Sequence, residues 1–308
     1  MLHVVLLKFT KKMKLATLNK KYFLGCLFGI FTILGCSSDD TQLNQNQDDV
    51  FFAIESLRPT QKQFNTSEKT ANARGLQLIN DTLMIVFSRG TNKAESYILS
   101  VEGEIETATH FTSFSTSNYI GSTAQGENGH GIFVEPRELS KMWIYNRTEI
   151  WQFNLSVPGE LSSAQNSGYY DFSNQVERGH GIFFNANGTS LYIDDRNKAV
   201  IHQFELTNPW DISEVEAYQF LDISEQHEAI RATVFKPNGS LMFTLDTGLQ
   251  EIKSYQLEDN WNVSSAVLSH SKSIDLSNPR GFTWNSDGSK AYIMDTDTGV
   301  IHQYKVGK

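Results

Sequence analysis

The sequence predicts an all-β chain folded as a five-bladed β-propeller, and three observations carry that prediction. A unit of about 50 residues recurs five times, and each copy reads as short strands parted by Asn, Gly and Asp turns. The last copy also lacks a strand that the segment before the first copy can supply. The clearest copies run from Arg178 to Asp195 (RGHGIFFNANGTSLYIDD) and from Pro279 to Asp295 (PRGFTWNSDGSKAYIMD). Each continues into Val-Ile-His-Gln and an aromatic residue, at 200–204 and 300–304. A third copy runs from Arg231 to Asp246, and weaker ones begin at Arg74-Gly75 and His130-Gly131. Counted from the residue after the basic one, the origins are 75, 131, 181, 232 and 281, so the steps are 56, 50, 51 and 49.

Turn chemistry sets the elements within the unit that begins at His180. Gly181–Phe184 is a short apolar strand, and Asn185–Gly188 supplies a turn whose glycine takes positive φ. Ser190–Asp194 returns, Arg196–Lys198 makes a polar corner, and Val200–Leu206 alternates as a third strand. After the Asn208–Asp211 loop, Ala217–Ile223 makes the fourth. No apolar 3.6-residue period survives the turns, which excludes a helical repeat. After Gly281 only 27 residues remain, enough for about three strands, while Val50 to Gly75 spans 25; together they make one repeat. Val50–Phe64 is therefore expected to close the ring, which removes the exposed sheet edges of an open array. A six-bladed ring is the alternative, and it would need extra strands within Glu102–Ala124.

The N-terminus reads as an address. Lysines at 14, 20 and 21 precede an apolar run from Tyr22 to Leu34 that meets Gly35-Cys36. This is the pattern of an export signal, and the run is too short for the roughly 20 residues of a membrane span. Ile33-Leu34-Gly35-Cys36 resembles the bacterial lipoprotein box, which implies lipidation of Cys36 and removal of residues 1–35. Ser37-Ser38-Asp39-Asp40 resembles the acidic export tag of Bacteroidetes surface lipoproteins. An ordinary signal peptide and a plain polar spacer are the simpler readings. The expected domains are thus a leader at 1–35, a flexible tether at 36–49 and the propeller at 50–308, with the protein lipid-anchored in the outer membrane and displayed on the cell surface or its periplasmic face. Cys26 lies in the leader, so a mature chain holds no disulfide.

Charge narrows the partners. The 26 basic residues include six lysines before position 36; without them 20 face 35 acidic residues, a net of −15. Such a surface repels phosphate backbones and disfavours nucleic acid. The repeat rhythm, with Asn208-Pro-Trp-Asp-Ile-Ser213 in its loop, is similar to bacterial extracytoplasmic propeller repeats over about Val50–Lys308. The wider superfamily of that resemblance contains sugar lactonases and members without known chemistry, so the resemblance implies fold more than activity.

Candidate site residues come from the blade geometry. The residue opening strand one and the residue closing strand two of every blade share one face of the disc. The first ring is Arg74, His130, His180, Arg231 and Arg280; the second is Ser88, Asn146, Asp195, Asp246 and Asp295. Three positions before the first ring stand Glu127, Glu177 and Glu228. On a scaffold reading, the aspartates cap turns, and Arg231/Asp246 and Arg280/Asp295 are ion pairs that stitch the blades together. On a functional reading, five cationic or imidazole groups around one axis bind a carboxylate, sulfate or phosphate, and Arg74 and His130 lead because Ser88 and Asn146 leave them unneutralised. Glu127/His130 and Glu177/His180 admit a divalent metal, but no cofactor is required. His227 and His270 fall in loops without a readable partner, while His202 and His302 pack inside third strands.

Three functions follow. The first is a non-catalytic propeller that binds an anionic small molecule, a glycan or a partner protein at the channel mouth. The second is an enzyme at that mouth: a uronate-glycan lyase using His130 or His180 as base, or a lactonase-like hydrolase with a metal held by Glu127 and Glu177. The third is a structural subunit of a surface assembly that uses the disc rim. Serine-hydrolase and phosphate-loop motifs are absent from the sequence.

Overall fold

A computed structural model describes residues 51–120 and 129–307; the leader, Cys36, residues 37–49 and Glu127 lie outside them. Twenty strands make five four-stranded antiparallel sheets among the described residues. Blade one is β1-independent and comprises β2 (Ala73–Ile79), β3 (Leu83–Ser88), β4 (Lys93–Leu99) and β5 (Ala108–Ser115), where β1 is Leu57–Asn65. Blade two is β6 (Gly131–Val134), β7 (Lys141–Asn146), β8 (Glu149–Leu155) and β9 (Ala164–Asp171). Blade three is β10 (Gly179–Phe184), β11 (Ser190–Asp195), β12 (Val200–Leu206) and β13 (Val215–Asp222). Blade four is β14 (Ile230–Phe235), β15 (Leu241–Asp246), β16 (Glu251–Leu257) and β17 (Ala266–Ser273). Blade five is β18 (Pro279–Trp284), β19 (Lys290–Asp295), β20 (Val300–Val306) and, on its outer edge, β1.

The ring closes as the sequence predicts. β1 pairs antiparallel with β20, from Leu57 opposite Val306 to Asn65 opposite Val300. The innermost strands touch in a closed circuit, β2 to β6, β10, β14, β18 and back to β2. Glu102–Ala124 contains β5 and, among the described residues, no strand beyond it. His270 departs from expectation, because the fourth strand of blade four reaches Ser273 and carries it as an exposed residue.

A repeated lock explains why each blade turns where it does. Trp210 and Trp261 take positive φ, their N–H groups donate to the carbonyls of Gly188 and Gly239 at 2.8 and 3.0 Å, and their indoles cover those glycines. A Cβ on Gly188 would lie 2.2 Å from the Trp210 ring, so only glycine fits beneath it. Phe52 repeats the arrangement in blade five, with positive φ and its N–H 2.9 Å from the Gly288 carbonyl. Two residues beyond each of these positions comes a fully buried aliphatic knob: Ile54, Ile212 and Val263. Blades one and two reverse the chemistry. There Gly103 and Gly159 donate to Asp81 and Leu139 at 2.8 and 2.9 Å, and Ile105 and Leu161 are the knobs.

The core lies between the blades. All six residues of β3, Leu83 to Ser88, are buried because both faces of the sheet are covered. Outer strands such as β13 are mostly exposed. No helix among the described residues is long and apolar enough to cross a membrane.

Candidate functional site

Each basic residue of the first ring sits at the start of an innermost strand, and a bulge aims three of them. Ala73 pairs with Ser88 and Gly75 with Phe87, which leaves Arg74 as the extra residue between them. Arg231 stands likewise between Ile230 and Ala232, and Arg280 between Pro279 and Gly281. A bulge frees a side chain from strand alternation and turns it toward the channel. In blade three the displaced stretch is His180-Gly181, set against Asp194. Blade two has no bulge in its pairing; there the His130 N–H donates to the Tyr145 carbonyl at 2.7 Å.

Arg74, His130, His180, Arg231 and Arg280 line one cavity of about 40 Å³ at the channel mouth. The residue after each is Gly75, Gly131, Gly181, Ala232 or Gly281. These small residues let the innermost strands close up: a Cβ on Gly131 would lie 2.7 Å from the His180 carbonyl oxygen, and one on Gly281 equally close to that of Arg74. The cavity holds only a few water-sized volumes of about 10–15 Å³ each. It admits a carboxylate or an inorganic anion, while a larger ligand must lie across the face.

The ring is held together by contacts between cations and imidazoles. Arg74 Nη1 lies 3.0 Å from His130 Nδ1, and Arg231 Nη1 lies 2.8 Å from His180 Nε2. The two imidazoles meet edge to face with centroids 4.1 Å apart. Arg74 Nε and Arg280 Nε donate to Asn72 and Asn278 Oδ1, at 3.0 and 2.8 Å. A guanidinium only donates, so the facing nitrogen of each imidazole must accept, which fixes the proton on Nε2 of His130 and on Nδ1 of His180. Burial, followed by neighbouring cations, holds both imidazoles well below their usual range. The same causes pull Arg74 down to about 9 and Arg231 to about 8, and lower Arg280. Among the described residues no carboxylate lines the cavity.

Sequence reasoning missed part of this field. Arg89, Arg178 and Arg196 add their charge to it. They stand one residue after Ser88, two before His180 and one after Asp195, so the readable signal was their adjacency to the two rings.

The expected ion pairs do not form. Asp246 accepts from His227 Nδ1 and from the N–H groups of Glu228, Ala229 and Leu249 at 2.7–3.0 Å. Asp295 is engaged by Ser277 Oγ and the Asn278 N–H. These carboxylates cap their own turns and clasp the loop entering strand one, and neither makes a salt bridge with an arginine of the ring. The premise that Ser88 and Asn146 single out Arg74 and His130 therefore fails, since the aspartates neutralise no ring member. His227, unpartnered in the sequence reading, is buried against Asp246, Tyr255 and Thr244.

Glu177 and Glu228 do not line the cavity. Glu177 is exposed, and its Oε1 accepts from Asn197 Nδ2 at 2.9 Å. Glu228 is exposed and lies against Gly248. Glu127 is outside the described residues. Among the described residues no group of three or more His, Cys, Asp and Glu side chains could hold a metal ion. His202 packs in β12 with Nδ1 2.8 Å from the Tyr218 hydroxyl. At its opposite end the channel opens into a cavity of about 230 Å³ whose walls mix aromatic residues, among them Phe133, Phe183, Phe235 and Trp284, with polar ones such as Asn80, Asn185 and Asn285.

Fold and mouth together define a five-bladed β-propeller with a cationic channel entrance. No family model and no curated protein matches the chain. Among solved structures it is similar to a functionally unknown protein from Desulfotomaculum acetoxidans DSM 771, at 11% identity and a TM-score of 0.48 over 73% of this chain and 80% of that one. It is also similar to the β-propeller domain of Myceliophteria thermophila Cps50 (Swd1), at 8% identity and a TM-score of 0.45 over 76% and 84%.

Proposed function

We propose that this propeller binds an anionic ligand, a small molecule or the acidic group of a glycan, at its arginine-ringed mouth and does not transform it. The observation that carries this reading is the convergence of Arg74, His130, His180, Arg231 and Arg280 on one cavity, with the hydrogen bonds of the ring arginines made, among the described residues, to imidazoles and asparagine amides and not to acids. A bound anion would relieve the mutual repulsion that, with burial, depresses the arginines. Binding is favoured over turnover because each imidazole spends its accepting nitrogen on a guanidinium and has no lone pair left to act as base. A lactonase-like hydrolysis has less support still, because the Glu177 carboxylate is engaged with Asn197. Lipidation at Cys36 and display from the outer membrane complete the proposal, and what supports them is the pattern of the N-terminal sequence.

The test is calorimetric titration of the purified protein with inorganic sulfate and with acidic oligosaccharides. Arg74→Gln and Arg231→Gln keep a donor for each imidazole and remove the charge. We expect the double variant to lose at least tenfold in affinity, about 1.4 kcal/mol, with an unchanged melting temperature. Undiminished binding by that variant would overturn the assignment of the mouth.

A further inference from the structure

The strand-two position facing the small ring residue is apolar in four blades. Phe87, Tyr145, Leu245 and Met294 pair there with Gly75, Gly131, Ala232 and Gly281. Blade three has Asp194 instead, fully buried. Its Oδ1 accepts from the Gly181 N–H at 2.8 Å, and its Oδ2 is 3.5 Å from Thr233 Oγ1 of the next blade. A Cβ on Gly181 would fall 2.1 Å from Oδ2, so the carboxylate occupies space that the glycine leaves beside the mouth. Among the described residues Asp194 makes no ion pair. A buried carboxylate without a paired cation is costly, and the other blades show that leucine or methionine suits the position.

We infer that Asp194 is the specificity-determining counter-charge of the mouth: as a carboxylate it competes with the ligand for the positive field of Arg231, and only in its neutral form does that field serve an anion fully. This inference rests on the anion-binding reading. The charged and titratable groups around Asp194 are Arg231 on β14, which attracts it, Asp195 on its own strand, which repels it, and the Tyr145 hydroxyl on β7. From β10 it meets the backbone of His180 and Gly181. Burial dominates and pushes the Asp194 carboxyl up to about 6. Anion affinity should therefore rise as pH falls through 6. Both imidazoles lie well below their usual range and Arg231 sits at about 8, so between pH 5 and 7 the change belongs chiefly to Asp194.

Inorganic sulfate is the probe, because it stays a dianion throughout that window. A unit charge about 10 Å from a dianion at an effective dielectric of about 20 changes affinity on the order of a hundredfold between the charged and neutral carboxyl, and with that carboxyl at about 6 about tenfold of the change falls between pH 5 and 7. We expect the wild-type protein to bind sulfate about tenfold more tightly at pH 5 than at pH 7. Asp194→Asn and Asp194→Leu should bind at pH 7 as the wild type does at pH 5, with little pH dependence. The wild type alone offers a second measurement: near pH 6 sulfate binding should take up a fraction of a proton, read from the dependence of the calorimetric heat on buffer ionisation. Variants that keep the wild-type pH slope, or binding at pH 6 without proton uptake, would overturn the role of Asp194 and leave anion binding standing. Failure of every form to bind sulfate or acidic oligosaccharides at either pH would bring down the mouth assignment itself.

Discussion

Aspartates of nearly identical sequence context do opposite things in this molecule, and hydrogen-bond donors decide which. Asp246 is as buried as Asp194. Burial pushes its carboxyl up, but the His227 imidazole and three backbone N–H groups outweigh that and hold it well below the usual carboxylate range. Asp195 follows the same logic and settles at about 2. Asp194 has no imidazole donor, only the backbone of His180 and Gly181, the latter at 2.8 Å, so burial wins. The signs of the stability effects differ accordingly. A depressed carboxyl contributes stability that is present above the unfolded value of about 3.9 and is lost as pH falls toward the folded one. A raised carboxyl costs stability that grows as pH rises from about 3.9 to 6, to about 3 kcal/mol. Replacing Asp246 with alanine leaves His227 and three N–H groups without an acceptor. We expect Asp246→Ala to cost about 3 kcal/mol at pH 7 by chemical denaturation, with the gap to the wild type narrowing as pH falls below 4. A gap that stays constant with pH would show that the carboxylate charge is not what the loop requires.

At the scale of strands and turns, closure depends on how well Phe52 replaces a tryptophan. Trp210 and Trp261 cover the turn glycines of blades three and four from within their own repeats, whereas Phe52 reaches Gly288 from the opposite end of the chain. Its ring also packs on Trp284 and Phe243, at 5.3 and 6.2 Å between centroids. Phe52→Ala should therefore uncover the lock that fastens the first strand to the last blade, at a cost of about 3–5 kcal/mol. Equilibrium unfolding checks this, and an unchanged midpoint would mean that β1 alone closes the ring. The repeat made blade number, strand order and closure legible in the sequence, because glycine turns and apolar runs recur at one spacing. The site was legible only in outline. Arg74, His130, His180, Arg231 and Arg280 could be placed on one face from their recurrence, but the bulges that aim Arg74, Arg231 and Arg280 depend on pairing registers that no single strand encodes. The ion pairs expected for Arg231 and Arg280 failed because backbone donors compete for carboxylates, and backbone groups carry no letter in a sequence. Asp194 was readable, as the one acid in a column of Phe87, Tyr145, Leu245 and Met294, once strand-two positions are compared instead of strand-one openings.

For the whole molecule, a cationic mouth set in an acidic chain would, under the proposed function, filter ligands by size. The net charge of −15 over residues 36–308 repels extended polyanions, while the arginine ring attracts at short range, within about one 8–10 Å screening length. Orientation adds a second filter. β18 runs from Pro279, beside Arg280 at the mouth, to Trp284, and the turn that follows carries Gly288 at the far end of the channel. The Phe52 N–H meets the Gly288 carbonyl, so the described chain enters the propeller on the face opposite the mouth. If Cys36 carries the proposed lipid, the chain that leads from it meets the described propeller at residue 51, on the face opposite the mouth. Binding at the mouth is then expected not to depend on the length of chain between lipid and propeller. Deleting residues 41–49 shortens that link and tests the expectation. We expect vesicle-anchored protein with that deletion to bind acidic oligosaccharides as tightly as the full-length anchored form and as a soluble Cys36→Ser form. Loss of binding confined to the shortened, anchored protein would place the mouth against the membrane, and the tether would then be a spacer that keeps the entrance clear.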